Sequence, residues 1–423
     1  LQRPDLGRHR RLLGPGARWS ALPPGRRVTV GWLVTRAIML VLLAIPENTV
    51  ISDVTYYFDN LSHLAAGAGV TDVLHEYPLP VLLLVGIPYL FSFGNRYLYG
   101  ALFVLLMFVV DACFCRLLFL RAGRQQSAAV TLWLAAAVMM GPLMITRFDQ
   151  VTGVLTGAAV IVLARRPRLA TLFVTVGAAL KLWPAVLIPA LAAPRSTRVK
   201  VLVTAALSGL LVVGTILAIG GVERLLSPLH YQSDRGLQIE SLPALPFMVL
   251  WSLFREPWMV KFSSYITSQV YGPGVPVMIT LATVASALAV AWMAAVWVRA
   301  WRLGDRVDAE TVGWIILAST FLLLLTNKVF SPQYLLWLAP VAIAMVAVAP
   351  ARDTGVRRLA VFILIIGVLT QVIYPICYIW ISETSWINPF GVAQLVIRDA
   401  CLVGAAVYTV SRAWRETARL GEP

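Results

Sequence analysis

The chain has little charge, few cysteines and few histidines. Only 13% of its 423 residues are Asp, Glu, Lys or Arg, 59% are apolar, and mean hydropathy is +0.79. An ordinary soluble globule, whose apolar share is nearer half, is excluded. The four cysteines (Cys113, Cys115, Cys377 and Cys401) lie within or beside hydrophobic runs without metal-site or disulfide spacing, so they read as small apolar residues. A phosphate-binding glycine loop, an HExxH helix and a metal-spaced Asp-x-Asp pair in the polar loops are all missing, so no nucleotide, metal or other cofactor is expected. Internal repeats, low-complexity tracts and a separable soluble domain are missing too.

What is present is a succession of apolar runs, each roughly 17 to 25 residues long, the length that crosses a hydrocarbon core. Backbone groups in lipid must be satisfied within the segment, so the fold class is all-α and the protein multi-pass. Acids number 20 against 35 basic residues, a formal charge of +15. In a soluble protein that excess would suggest nucleic acid. Here the arginines sit in short clusters between apolar runs, the positive-inside pattern, and no nucleic-acid partner is expected. Arg3 to Arg27, Arg121 with Arg124, Arg165 to Arg168, Arg195 to Lys200, Arg299 to Arg306, Arg352 to Arg358 and Arg412 to Arg419 then mark the cytoplasmic face.

Alternation from that face gives spans near 30–45, 98–120, 130–145, 150–163, 201–219, 277–298, 312–326, 335–348, 359–380 and 392–410. The expectation is about ten spans within one transmembrane unit, 29–411, between tails 1–28 and 412–423, with external loops 46–97 and 220–276. The polar basic start followed by a span without a small-residue cleavage site predicts no cleavable signal peptide. Leu79 to Phe93, broken by Pro80 and Pro88, reads as a helix lying at the interface. Leu169 to Leu191 is flanked by basic residues on both sides and interrupted at Lys181-Leu-Trp-Pro184, which fits a re-entrant hairpin with Lys181 at its tip.

This topology collects acids, histidines and a few bases at one external pole. Asp53 heads a stretch, Val54 to Ala66, with the pattern of an amphipathic helix, where it could act as N-cap, general base or both. Asp59 is six positions on, about 240° around the axis, so the two acids do not share a face. Glu76-Tyr77-Pro78 forms a stiff turn. Arg147-Phe-Asp149 is expected in an external turn and Lys328 at the outer end of a span, where a cation can face a phosphate or anchor at the interface. The run His230-Tyr-Gln-Ser-Asp234-Arg235-Gly-Leu-Gln238-Ile-Glu240 is either a solvated loop or the lining of a sugar-sized site. Asp111, inside a span, is expected to pair with Arg116 or Tyr97 or to serve as a relay.

Taken in order, Ser52-Asp53-x-x-x-Tyr57, Glu76-Tyr77-Pro78, Arg147-Phe-Asp149, Lys181-Leu-Trp-Pro184, Arg235-Gly-Leu-Gln238-x-Glu240-Ser241 and Ser331-Pro-Gln333-Tyr334 resemble the type-C (GT-C) integral membrane glycosyltransferases. The likeness is greatest to actinobacterial polyprenol-phosphate-mannose-dependent mannosyltransferases. That resemblance implies a polyprenyl-phosphate-linked sugar donor, a glycolipid or glycan acceptor and the lipid bilayer as partners. It also implies an active site on the external side of the bacterial plasma membrane and inversion at the anomeric carbon. Asp53 matches the family's general base in the first external loop. Arg147, Lys328, Arg235 and Lys181 are the candidate donor-phosphate ligands, and Tyr57, Glu76, Tyr77, His230, Gln238, Glu240, Gln333 and Tyr334 the candidate sugar or acceptor ligands. Two departures, Tyr77-Pro78-Leu79 where a double proline is common and Ser331-Pro-Gln-Tyr where some members carry histidines, leave the sugar open. A transporter or flippase of a lipid-linked substrate is the alternative, disfavoured by the lack of internal repeats and by polar groups gathered at one pole.

Overall fold

The computed structural model describes residues 24–45, 49–121, 126–349, 353–382 and 389–422. The basic segment up to residue 23, Arg124 and Arg352 lie outside the described residues. Most of the described residues are helical, as the long apolar runs require. The longer helices are α1 (Pro24–Leu43), α2 (Ser52–Ala65), α3 (Val81–Leu90), α4 (Arg96–Arg121), α5 (Gln126–Met140), α6 (Asp149–Val162), α7 (Pro167–Leu180) and α8 (Arg195–Asp234). They continue with α9 (Leu245–Phe254), α10 (Val275–Leu303), α11 (Ala309–Thr326), α12 (Leu335–Val348), α13 (Thr354–Gln371) and α14 (Pro389–Arg419).

Six helical segments among the described residues are long and apolar enough to cross a membrane: Arg96–Arg121, Arg195–Asp234, Val275–Arg306, Ala309–Thr326, Thr354–Ile376 and Pro389–Arg419. Four other expected spans correspond to α1, α5, α6 and α12. The last three have only 15, 14 and 14 residues. At 1.5 Å per residue a 14-residue helix reaches about 21 Å, short of a hydrocarbon core of about 30 Å. Helices α6 and α12 are buried along nearly their whole length and form the centre of the molecule. Sequence hydropathy does not separate a helix surrounded by protein from one surrounded by lipid.

Glycine sets how closely α6 and α12 approach. A Cβ on Gly153 would overlap the Leu336 carbonyl oxygen, and one on Gly157 would sit 2.7 Å from the Pro340 oxygen. This is small-residue packing at a four-residue interval, which brings two backbones together. Gly153→Ala is therefore expected to lower stability by about 1–3 kcal/mol. Gly209→Ala, at a position with nothing within 4 Å of a Cβ, should cause no such loss. Thermal unfolding in detergent compares the two.

Three expectations change on folding. The second external loop was expected to begin at 220 and hold only short amphipathic pieces. Instead α8 continues to Asp234 through a kink at Gly221, whose φ of 67° a β-carbon would resist. The same segment also holds an antiparallel hairpin, β1 (Met259–Ser263) paired with β2 (Thr267–Tyr271). Asp111 pairs with neither Arg116 nor Tyr97: it accepts from Arg36 Nε at 2.8 Å and from Trp32 Nε1 at 2.5 Å, tying α4 to α1. The break at Lys181 is present, with α7 ending at Leu180 and a 3-10 turn at Trp183–Leu187 following.

Candidate functional site

Helix α2 places the first acid. Val54, Tyr57, Phe58 and Leu61 recur at helical spacing and are its buried residues, so the helix lies with one face against the protein. Its N-cap is Ile51, which offers no side-chain hydrogen bond, so Asp53 is not the cap. It sits in the first turn, where the helix dipole favours a negative charge. Its Oδ2 lies 2.9 Å from Arg147 Nη1.

Arg147 and Asp149 were expected in an exposed external turn; both are buried. Arg147 has extended backbone between the short helix Leu143–Thr146 and α6. Its Nη1 also donates to the Val50 carbonyl at 3.0 Å and its Nη2 to Tyr374 Oη at 3.3 Å, while its Nε is buried without a hydrogen-bond partner. Asp149, in the first turn of α6, accepts from Lys181 Nζ at 2.6 Å and Trp337 Nε1 at 2.7 Å on one oxygen. Lys181 reaches it because α7 unwinds there into extended backbone.

The Lys181 ammonium is caged by aromatic rings. Tyr334 and Trp337 lie 5.0 and 5.1 Å from Nζ, and Tyr77 and Phe148 both 5.6 Å. Each face adds cation–π attraction. Tyr334 stacks on Trp337 with centroids 4.1 Å apart, and Tyr57 packs 5.7 Å from Phe148. Two acids and two bases from three separate stretches of chain thus share one aromatic-walled compartment.

The two acids are not equivalent. The Asp53 side chain is 29% exposed and that of Asp149 1%. Dense surroundings push the Asp53 carboxyl above the ordinary carboxylate range; Arg147 opposes this, Asp149 adds to it, and Lys181 opposes it more weakly. Asp53 is thus the acid that a ligand can reach and that a proton binds more readily than usual.

A second group lies beside the first. Glu76, pushed upward chiefly by burial and drawn down by hydrogen bonds from its own backbone and Tyr56, has one buried oxygen, Oε2, without a partner. Arg235 lies over the Tyr231 ring at 5.7 Å, and Lys328 Nζ donates to the Ser233 carbonyl at 2.7 Å. Burial lowers Lys328 first, with Asp234 raising it and Arg235 lowering it further. Lys328 and Arg235 thus act on one another near Asp234, and the charges that bear on Asp53 are those of Arg147, Asp149 and Lys181. His230 is exposed and Gln333 half-buried.

Two sequence candidates have structural roles instead. Gln238 is buried; its N–H donates to the Lys328 carbonyl and its Oε1 accepts from the Phe330 N–H, clamping two loops together. Glu240 is buried against Arg398 of α14, Nη1 to Oε2 at 2.9 Å, with Arg398 Nη2 donating to the Glu240 carbonyl at 2.6 Å. Burial pushes Glu240 up to about 7 against the pull of Arg398. Both were expected to line a sugar site, because a polar run in a loop looks the same whether water or an arginine satisfies it. Asp59 pairs with Arg96 at 2.5 Å on the exposed side.

Sequence reading missed Trp337 and Tyr374, and it did not enlist Asp149 as a ligand. Trp337 follows Tyr334 at a helical i,i+3 spacing, a signal that was there to use. Tyr374 precedes a proline in an apolar run and carries none. Among the described residues, no three His, Cys, Asp or Glu side chains converge as metal ligands would.

The family model described as Glycosyltransferase family 87 matches residues 75–332, more than half of the chain. Comparison with curated proteins gives no match. The matched segment holds Glu76, Tyr77, Arg147, Asp149, Lys181, Arg235 and Lys328; Asp53 precedes it, and Trp337 and Tyr374 follow it.

Proposed function

The chain belongs to glycosyltransferase family 87, and we propose that its membrane transferase activity moves a sugar, mannose in the first instance, from a polyprenyl phosphate to a hydroxyl of a glycolipid or glycan. The observation that carries this reading is the difference between the two acids. Asp53 is open to a ligand and held by one cation, whereas Asp149 is closed and bonded to Lys181 and Trp337.

In this reading Asp53 takes the proton from the acceptor hydroxyl as its oxygen attacks the anomeric carbon. The bond from that carbon to the phosphate oxygen breaks on the opposite side, and the phosphate leaves with the electron pair. Attack from the face opposite the leaving group inverts the anomeric carbon. Charge grows on the departing phosphate, so cations fixed beforehand stabilise the transition state more than the ground state. Arg147 and Lys181 serve there, each already anchored by an acid and unable to swing away. Arg235 and Lys328 form an outer cationic pair at the entrance for the donor headgroup. Gln333, Tyr57, Tyr77 and Tyr334 border the sugar.

The compartment faces the external side of a bacterial plasma membrane, opposite the arginine clusters. Residues 1–28 and 412–423 are then cytoplasmic tails flanking one transmembrane unit, 29–411, with the loop 46–97 outside and, beyond the Gly221 kink, the end of α8 and the hairpin-bearing segment up to residue 276 outside as well. About ten segments together cross or enter the bilayer, the shorter ones sheathed by the six long helices, and Lys181 marks the tip of a re-entrant pair.

The test is reconstitution in liposomes with a radiolabelled polyprenyl-phosphate sugar and a panel of acceptors. Sugar transfer is the expected result. Movement of labelled lipid across the bilayer without transfer would establish the transporter instead. The pH profile gives a second test. The base must be ionised to act, and its pKa lies above the usual carboxylate value of about 3.9. kcat/KM should therefore fall as pH drops, with its midpoint above that value, and Asp53→Glu should keep an acidic limb at a different position. A profile flat down to pH 4 contradicts Asp53 as base.

A further inference from the structure

A costly buried cluster lies outside the Asp53 compartment, on α14. Arg398 and Asp399 are buried there together with Glu240 of the external segment, two acids around one arginine. Arg398 Nη1 donates to Glu240 Oε2 at 2.9 Å, Nη2 to the Glu240 carbonyl at 2.6 Å and Nε to Asp399 Oδ1 at 2.8 Å. Glu240 Oε1 and Asp399 Oδ2 are buried without a hydrogen-bond partner. Replacing such a group with apolar side chains of similar volume is often neutral or stabilising, so holding α14 in place does not call for it. What a guanidinium adds is direction, because its donors form a rigid fork.

That direction leads to the Lys181 cage. The Arg398 guanidinium lies 4.6 Å over the Phe330 ring, and Phe330 meets Tyr334 edge-on with centroids 6.0 Å apart. Tyr334 stacks on Trp337 and stands 5.0 Å from Lys181 Nζ. We propose that Arg398 and Phe330 are positioning residues: they set the place of Tyr334, and through it the place of the Lys181 ammonium. This role rests on the transferase reading given above and deepens it by assigning what holds the inner cation in register.

Phe330 is held from two sides. Its ring lies under Arg398, and its N–H donates to Gln238 Oε1 at 2.7 Å. Gln238 is itself fixed, because its N–H donates to the Lys328 carbonyl at 3.0 Å and its own carbonyl accepts from the Ser241 N–H and Oγ. Arg398 therefore grips the 328–330 stretch twice, directly through the ring and indirectly through Glu240 and Gln238. The path from Phe330 to Tyr334 is short, closed into a 3-10 turn by the Tyr334 N–H donating to the Ser331 carbonyl at 2.9 Å. Buried Pro332 stiffens it, so a shift at Phe330 reaches Tyr334.

Lys181 is sensitive to such a shift. It sits in extended backbone where α7 has ended, and its ammonium is placed by Asp149 at 2.6 Å and by the ring faces of Tyr334 and Trp337. Cation–π attraction weakens as a ring moves away. Stabilisation of a growing phosphate charge requires that the cation be in place beforehand. Arg398 touches none of the reacting atoms and acts through Phe330 and Tyr334.

The experiment uses the full chain in lipid nanodiscs with two readouts, sugar transfer and the binding of farnesyl phosphate, a short polyprenyl phosphate carrying the charge that the leaving group gains. Phe330→Leu leaves the ion cluster whole and removes the ring between Arg398 and Tyr334. It should lower kcat and farnesyl phosphate affinity by about 3- to 10-fold each, within the range of coupled neighbours. Arg398→Lys keeps the charge without the fork and should do the same. Wild-type kcat and affinity in either variant overturn the proposal. The deciding step repeats Phe330→Leu on a Lys181→Met, Asp149→Asn background, where it should have no further effect on farnesyl phosphate affinity. An equal factor on both backgrounds shows that Phe330 does not act through Lys181, and also overturns the proposal. A chain that shows this non-additive binding but transfers no sugar supports the control of Lys181 by Phe330 and overturns the transferase reading. One that binds no farnesyl phosphate overturns the phosphate role of Lys181 on which both rest.

Discussion

Asp53→Asn is expected to lower kcat for sugar transfer by about 10²- to 10⁴-fold, the contribution usual for a general base, while donor affinity changes by no more than a few fold. Asparagine keeps the shape of the side chain and can still accept a hydrogen bond from Arg147, but it cannot take a proton. Arg147 keeps its bonds to the Val50 carbonyl and to Tyr374, so its guanidinium stays in place. Asp53→Ala should be as inactive and less stable, because it removes the acid paired with a buried arginine. Single-turnover transfer and donor binding, measured on the same preparation, distinguish lost chemistry from lost binding. An Asn variant that retains more than half of the wild-type rate removes Asp53 from the mechanism.

Lys181→Met should reduce kcat/KM by about 10²- to 10³-fold, the scale seen when one preorganised group facing developing charge is removed. Methionine fills the aromatic cage without charge. It also leaves Asp149 buried without its cation, which costs about 3–5 kcal/mol when a buried pair is broken on one side. The double variant Lys181→Met with Asp149→Asn removes both charges and should regain much of that stability without regaining activity. Lys328→Met is the contrast. Its ammonium is hydrogen-bonded to a backbone carbonyl near the surface, so a loss of about fivefold or less is expected, in line with exposed charge interactions of up to about 1 kcal/mol. Equal losses for Lys181 and Lys328 would contradict the separation into inner and outer cations. Recovery of transfer in the double variant would reduce Lys181 to a structural partner of Asp149.

The two acids of α2 show what sequence reading can and cannot separate. Helical spacing alone divides Asp53 from Asp59, and the folded chain sends one to Arg147 and the other to Arg96. Spacing could not choose between cap and base for Asp53, because the choice depends on a partner 94 positions away, 147 minus 53. The polar run ending at Glu240 shows the reverse case. It has the composition of a binding loop, yet Glu240 is closed over by Arg398, 158 positions on.

The sequence by itself determined the membrane class, the helical fold and the interruption at Lys181, and it nominated most of the polar residues of the candidate site. These follow from hydropathy, periodicity and proline placement, which act over a few turns of chain. Only the tertiary structure decided which helices are sheathed by others, which acids are open and which closed, and which cations face Asp53. Those outcomes depend on long-range contacts, where Gly153 lets α6 meet α12 and where burial, rather than residue type, sets the working charge of a carboxyl.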